Sequence, residues 1–222
     1  FVSGCFCMLD LKNDEDIYSF GENITSAILN GISGLSALAM LVLGIIECAI
    51  NRSVTGIITV ALWLFGVFLF CIMDLLAHSI SSFKAKKVFL ILANCFLHFA
   101  ICGICAFYGI CVIGGAVGWS IFGAICFFSI LCIVFNATMF DKFELYSFIV
   151  AILNLWIGSL IVSLLIVDSN IKCAFSIIVA TVLYTIGSVF YMLGRRMNGL
   201  HIAFHIFILL GIAVNFVTIY TY

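Results

Sequence analysis

The chain reads as an all-α membrane protein of seven transmembrane helices, with its N-terminus cytoplasmic and its C-terminus outside. Three observations predict this. Of 222 residues, 66% are hydrophobic and only 9% are charged, too few charges to cover a water-soluble domain. The apolar residues fall into seven runs of about 20 residues or more, each long enough to cross a bilayer as a helix. The basic residues gather in alternate breaks between those runs, as they do in cytoplasmic loops.

Taken in order, residues 1–20 form a polar tail carrying Asp10, Lys12, Asp14, Glu15 and Asp16, and residues 21–222 form the membrane domain. The first run covers 24–50 and stops at Asn51-Arg52-Ser53. The second, 56–80, precedes the basic break Lys84-Ala85-Lys86-Lys87. The third, 88–113, ends at Gly114-Gly115, a break with no charge. The fourth, 116–139, meets Asp141-Lys142-Phe143-Glu144. The fifth, 145–167, ends at Asp168-Ser169-Asn170. The sixth, 172–194, ends at Arg195-Arg196-Met197-Asn198, and the seventh covers 200–221. No proline interrupts any run, and no internal repeat or cleavable signal peptide is legible.

With the N-terminus inside, the inner face holds Lys12, Lys84, Lys86, Lys87, Lys142, Arg195 and Arg196, and the outer face only Arg52 and Lys172. This bias sets the orientation. The protein is therefore expected to be integral and multi-pass, at the plasma membrane. A net charge of −1 and the lack of a basic stripe exclude a nucleic-acid surface. Membrane lipids are the expected partners. The eleven cysteines are scattered through apolar runs and read as small hydrophobes. Cys102-x-x-Cys105 has redox spacing but lies mid-helix, and Cys5-x-Cys7 falls in the tail.

Ionisable groups inside a span are costly and mark function. His201 and His205 open the last run one helical turn apart, so both rings share a face and can share a metal. His78 closes the second run. In the predicted topology all three lie in the cytoplasmic third of the membrane. Three neutral imidazoles with a fourth position open suit zinc. Asp74 lies one turn before His78. It could orient a ligand ring, bind the metal, or act as a base. Helix 3 adds Asn94 near the same end and His98 deeper, where an interhelical hydrogen bond is the ordinary role. Asn30, Asn136, Asn154, Tyr184 and Ser188 read as helix-packing polar groups. Asn23-Ile24-Thr25 has the pattern of a glycosylation sequon, but the topology puts it on the cytoplasmic side.

From about Gly21 to Tyr222 the sequence resembles the hemolysin III branch of the progestin and adipoQ receptor (adiponectin-receptor-like) superfamily. The resemblance is carried by Gly21 to Gly34 (GENITSAILNGISG), Lys84 to Val88 after the helix-2 histidine, and Gly118 to Gly123 (GWSIFG). Leu183 to Tyr191 (LYTIGSVFY) and His201-Ile-Ala-Phe-His205 complete it. The resemblance implies a seven-helix fold with a zinc ion held by His78, His201 and His205. It also implies activity of the ceramidase type, membrane-lipid homeostasis, or haemolysis. The chain departs from the family pattern at four places. Asp74 replaces a serine. Ala93, followed by Asn94, stands where the family has an aspartate that holds the attacking water. Asn30 and Asn215 stand where the family has histidines.

The resulting expectation is a zinc-dependent hydrolase of a lipid amide with a ceramide-like substrate, in which Asp74 is the base and Asn30, Asn94 and His98 support the site. A non-catalytic receptor or homeostasis regulator with structural zinc is the first alternative, and a membrane-permeabilising haemolysin the second. The orientation is directly testable. A C-terminal reporter fused after Tyr222 should lie outside and cysteine labels in the Lys84–Lys87 break should lie inside, and the reverse pattern would overturn the assignment.

Overall fold

A computed structural model describes residues 9–10, 15–16, 18–166, 170–194, 197 and 199–221. Among these residues it contains seven helices long and apolar enough to span a membrane. They are α1 (Phe20–Ile50), α2 (Val54–Ser79), α3 (Phe83–Ile113), α4 (Gly115–Phe140), α5 (Lys142–Ile166), α6 (Ile171–Gly194) and α7 (Leu200–Tyr220). The protein is thus an all-α, multi-pass integral membrane protein. The Cys5-x-Cys7 pair, most of the polar tail, the Arg195-Arg196 pair and residues 167–169 lie outside the described residues. Leu9–Asp10 pairs antiparallel with Glu15–Asp16 as a two-residue ladder.

Local chemistry sets the helix ends. Helix α1 starts earlier than its apolar run because Ser19 and Glu22 form a capping box. Ser53 caps α2 by accepting from the Gly56 amide at 3.0 Å. The uncharged break after α3 is made by backbone conformation. Gly114 and Gly115 both have positive φ, 69° and 59°, a region open to glycine at little cost. Before it, Phe107–Ile113 winds as a π-helix. Between α4 and α5 the chain turns at Met139, whose φ of −137° and ψ of 37° leave the helical region.

The helices close into a ring, with α1 packed on α2, α2 on α3, α6 on α7, and α7 back on α1. Helices α4 and α5 form an antiparallel hairpin. Asn136 Nδ2 donates to Ser147 Oγ at 2.6 Å, and two turns further along both helices Asn154 Nδ2 donates to Ser129 Oγ at 3.4 Å. Outward faces are apolar at helical spacing, as Ile28, Ile32, Leu35, Val42 and Ile46 of α1 show; such a face suits lipid. The described cysteines are all free, in keeping with their role as small apolar residues.

Close approach of α2 and α3 fixes the middle of the bundle. A Cβ on Gly66 would stand 2.9 Å from the Ala100 Cα, and one on Gly103 would run into the Trp63 backbone. Lipid tails are as apolar as leucine, so packing between small residues replaces the hydrophobic effect as the force joining helices. Gly103→Leu should therefore separate α2 from α3 and lower stability by at least ~1–3 kcal/mol. Gly123→Leu, where a Cβ meets nothing within 4 Å, should leave it nearly unchanged. Thermal unfolding of the two variants in the same detergent checks this.

Candidate metal centre

The site lies at one end of the bundle, where α1, α3 and α7 begin and α2 ends. His78 sits in the last turn of α2, and His201 and His205 in the first turns of α7. All three are buried, at 5%, 1% and 3% exposure. Their ligand atoms lie within 4.8 Å of one another, the only such group of three among the described residues. Two devices bring α7 into place. Gly194 at the end of α6 lies so close that a Cβ there would be 2.7 Å from the His201 amide nitrogen. Glu22 accepts from the backbone amide of Gly199 through Oε1 and from Ser19 through Oε2. One carboxylate therefore caps α1 and holds the entry to α7.

The Nε2 atoms converge. His201 Nε2 is 3.2 Å from His78 Nε2 and 3.2 Å from His205 Nε2. Three imidazoles on a tetrahedral zinc, with Zn–N near 2.0–2.1 Å, would have nitrogens about 3.3–3.4 Å apart. The donor set is neutral imidazole, which zinc accepts readily. The residues fit a divalent metal in both spacing and chemistry.

Asp74, one turn before His78, is buried beside the cluster. Its Oδ1 is 3.9 Å from His78 Nε2 and its Oδ2 is 3.7 Å from His205 Nδ1, both longer than a hydrogen bond. Asn30 of α1 donates to Asp74 Oδ2 at 2.9 Å, so the structure joins these two predicted residues directly. Asn94 is turned to its own helix and donates to Leu90 O at 3.1 Å. His98 lies elsewhere. Its Nε2 is 2.6 Å from Ser147 Oγ, in a buried interhelical contact that also takes the Asn136 amide. Ala93 is buried in α3. Asn215 lies towards the far end of α7, accepting from Tyr108 Oη at 2.6 Å and donating to Tyr184 Oη at 3.1 Å.

Three residues that sequence reasoning missed complete the site. Tyr18, read as tail, is buried with its ring stacked on His201 at 4.0 Å between centroids. Asn23 is buried, and its Oδ1 is 2.7 Å from His78 Nδ1. The sequon nitrogen is thus an internal group, with no room for a glycan. Lys86, read as a loop lysine, is 4% exposed and donates to Asn23 Oδ1 at 3.2 Å. The legible signal was Ser19-x-x-Glu22, a helix-start signature that moves α1 back to Phe20 and puts Asn23 in its first turn. Nothing in sequence marks Lys86 or Tyr18 as buried.

Behind the cluster, an apolar cavity runs into the bundle between Trp63, Phe70, Leu97, Phe148, Phe204 and Ile212. Phe204 forms its boundary with the site, its ring 4.9 Å from that of His205.

Comparison with known proteins places relatives along nearly the whole chain. It is 26% identical over 203 residues to Hemolysin-3 of Bacillus cereus, covering 90% of this chain and 91% of the relative. It is 25% identical over 207 residues to the Hemolysin-3 homolog of Bacillus subtilis (strain 168), covering 93% and 96%. No family model matches the chain, and no solved structure matches it.

The geometry predicts one divalent metal per chain. Protein purified without chelator should carry it by elemental analysis, and His201→Ala or His205→Ala should lose most of it. Equal metal content in wild type and a His201→Ala/His205→Ala double variant would refute the centre.

Proposed function

We propose that the chain is a zinc-dependent hydrolase of hemolysin III type that cleaves amide bonds in membrane lipids, with a ceramide-like substrate, a reading supported by its likeness to two Hemolysin-3 proteins and by the buried imidazole cluster. The observation that carries this reading is the convergence of three imidazole Nε2 atoms with a carboxylate less than 4 Å away. The hydrolase reading needs that combination, whereas a purely structural metal needs only ligands.

His78, His201 and His205 would hold the zinc. When bound, it supplies Lewis acidity, polarising the amide carbonyl and making a neighbouring water more acidic. The protein's own residues do the rest. Asp74 takes a proton from the attacking water as the carbon–oxygen bond forms, then delivers it to the leaving nitrogen as the carbon–nitrogen bond breaks. Asn30, donating to Oδ2, holds the carboxylate and leaves Oδ1 towards the cluster. The apolar cavity behind Phe204 offers a place for an acyl chain. The basic bias of the loops supports a site towards the cytoplasmic leaflet, and the plasma membrane is the proposed location.

A second reading is a regulator whose zinc is structural. The burial of the cluster under Tyr18 favours it, as does Ala93 where the family pattern has an aspartate. A pore former has less support, because the interior space is lined by apolar side chains.

The base is the point of decision. Asp74→Asn should keep its zinc, since the three imidazoles remain, and should lose turnover of a fluorescent ceramide by about 100-fold or more, the scale of a general base. Asp74→Ser combined with Ala93→Asp should regain activity. Turnover unchanged in Asp74→Asn at equal zinc content would exclude Asp74 as the base. Zinc without turnover in wild type would favour the regulator.

A further inference from the structure

We infer that Asn23 is a positioning residue for the metal centre. Its amide oxygen, turned by the buried ammonium of Lys86, holds His78 in the tautomer that presents Nε2 to the other two imidazoles. This rests on the zinc reading above.

The argument turns on which atom of the amide faces which neighbour. The Lys86 ammonium has only donors. The Asn23 atom 3.2 Å from it must therefore be the oxygen. The other end agrees, because Nδ2 donates to the Tyr18 carbonyl at 3.3 Å. The same oxygen is 2.7 Å from His78 Nδ1. An amide oxygen can only accept, so His78 Nδ1 carries the hydrogen. A neutral imidazole with a hydrogen on Nδ1 has its lone pair on Nε2, the atom 3.2 Å from His201 Nε2. The ring is thus set as a ligand before any metal arrives.

The partners come from separate parts of the chain. Asn23 is in the first turn of α1, Tyr18 precedes α1, His78 ends α2, and Lys86 is in the first turn of α3. Lys86 is buried, and the helix N-terminus is the end that disfavours a cation. Burial holds its ammonium against the Asn23 oxygen, so the amide is oriented by a fixed donor. Groups that orient a metal-ligating imidazole through its other nitrogen commonly contribute 10- to 100-fold in metal affinity.

The test uses full-length protein in detergent or nanodiscs, with zinc affinity read by competition against a chelator. Asn23→Leu, similar in size but without an acceptor, should bind zinc about 10- to 100-fold more weakly. Asn23→Asp, which still accepts from both His78 and Lys86, should bind as tightly as wild type or more so. A role confined to packing predicts the opposite order, because leucine suits an apolar bundle better than a carboxylate does. Nitrogen-15 NMR of histidine-labelled wild type reads the tautomer without any mutation. His78 Nδ1 should be the protonated nitrogen, and a hydrogen on Nε2 would overturn the inference even if the leucine variant does not fold. Zinc missing from wild type would overturn the metal reading and this inference with it. Zinc held equally by wild type and Asn23→Leu would overturn this inference alone.

Discussion

A polar group buried in this bundle can find a partner only inside the protein, because the surrounding hydrocarbon offers none. That constraint shapes the structure more than any single contact. The interior polar residues gather into a few separate clusters, each tying different helices together. Tyr108, Asn215 and Tyr184 join α3, α7 and α6. His98, Ser147 and Asn136 join α3, α5 and α4. Ser159 and Thr181 join α5 to α6 at 2.6 Å. Between these clusters the packing is apolar and close, with glycines letting α2 and α3 approach to backbone contact. The polar clusters specify which helices meet, and the small residues decide how near.

The end cluster differs from the others in kind. Elsewhere hydroxyls and amides meet complementary partners, as Tyr108, Asn215 and Tyr184 do. Here three like rings point the same type of atom at a common centre, with a carboxylate alongside. Three neutral imidazoles cannot satisfy one another when all three present lone pairs, and a metal ion is the group that can satisfy all of them together. The residues around them act as a frame. Glu22 fastens the start of α1 to the start of α7, Asn30 fastens α1 to Asp74, and Asn23 fastens α1 to α2 and α3. Helix α1 supplies no imidazole to the centre and yet touches each segment that builds it.

Likeness to two Hemolysin-3 proteins covers nearly the whole chain and leaves the chemistry to be read from the residues. An apolar cavity lies behind the cluster, with Phe204 between the two. The stacking of Tyr18 on His201 closes the end of the bundle above the cluster. The same enclosure would serve a regulator by protecting its metal, so enclosure alone does not separate an enzyme from a sensor. The carboxylate beside the centre is where the two readings diverge, as a base in one and as a group that orients a ligand ring in the other.

Periodic and compositional properties were legible in the chain alone. Long apolar runs predict spans because the thickness of hydrocarbon sets a minimum length, and His201 and His205 share a face because the helical repeat requires it. Even the depth shared by His78 followed from loop charge and helix length. Partnerships across helices were not legible, because they depend on rotation about helix axes, which no local pattern encodes. Asn94 could have faced the centre and instead bonds its own backbone. Asn30 was expected to support the site, but its pairing with Asp74 was set only by the fold. Lys86 and Tyr18 looked like solvated loop and tail because burial at a helix end is decided by the neighbouring chain. The sequence by itself determined the seven spans and the three imidazoles; only the tertiary structure decided what surrounds them, since hydrogen bonds between helices are made by side chains whose facing the linear order leaves open.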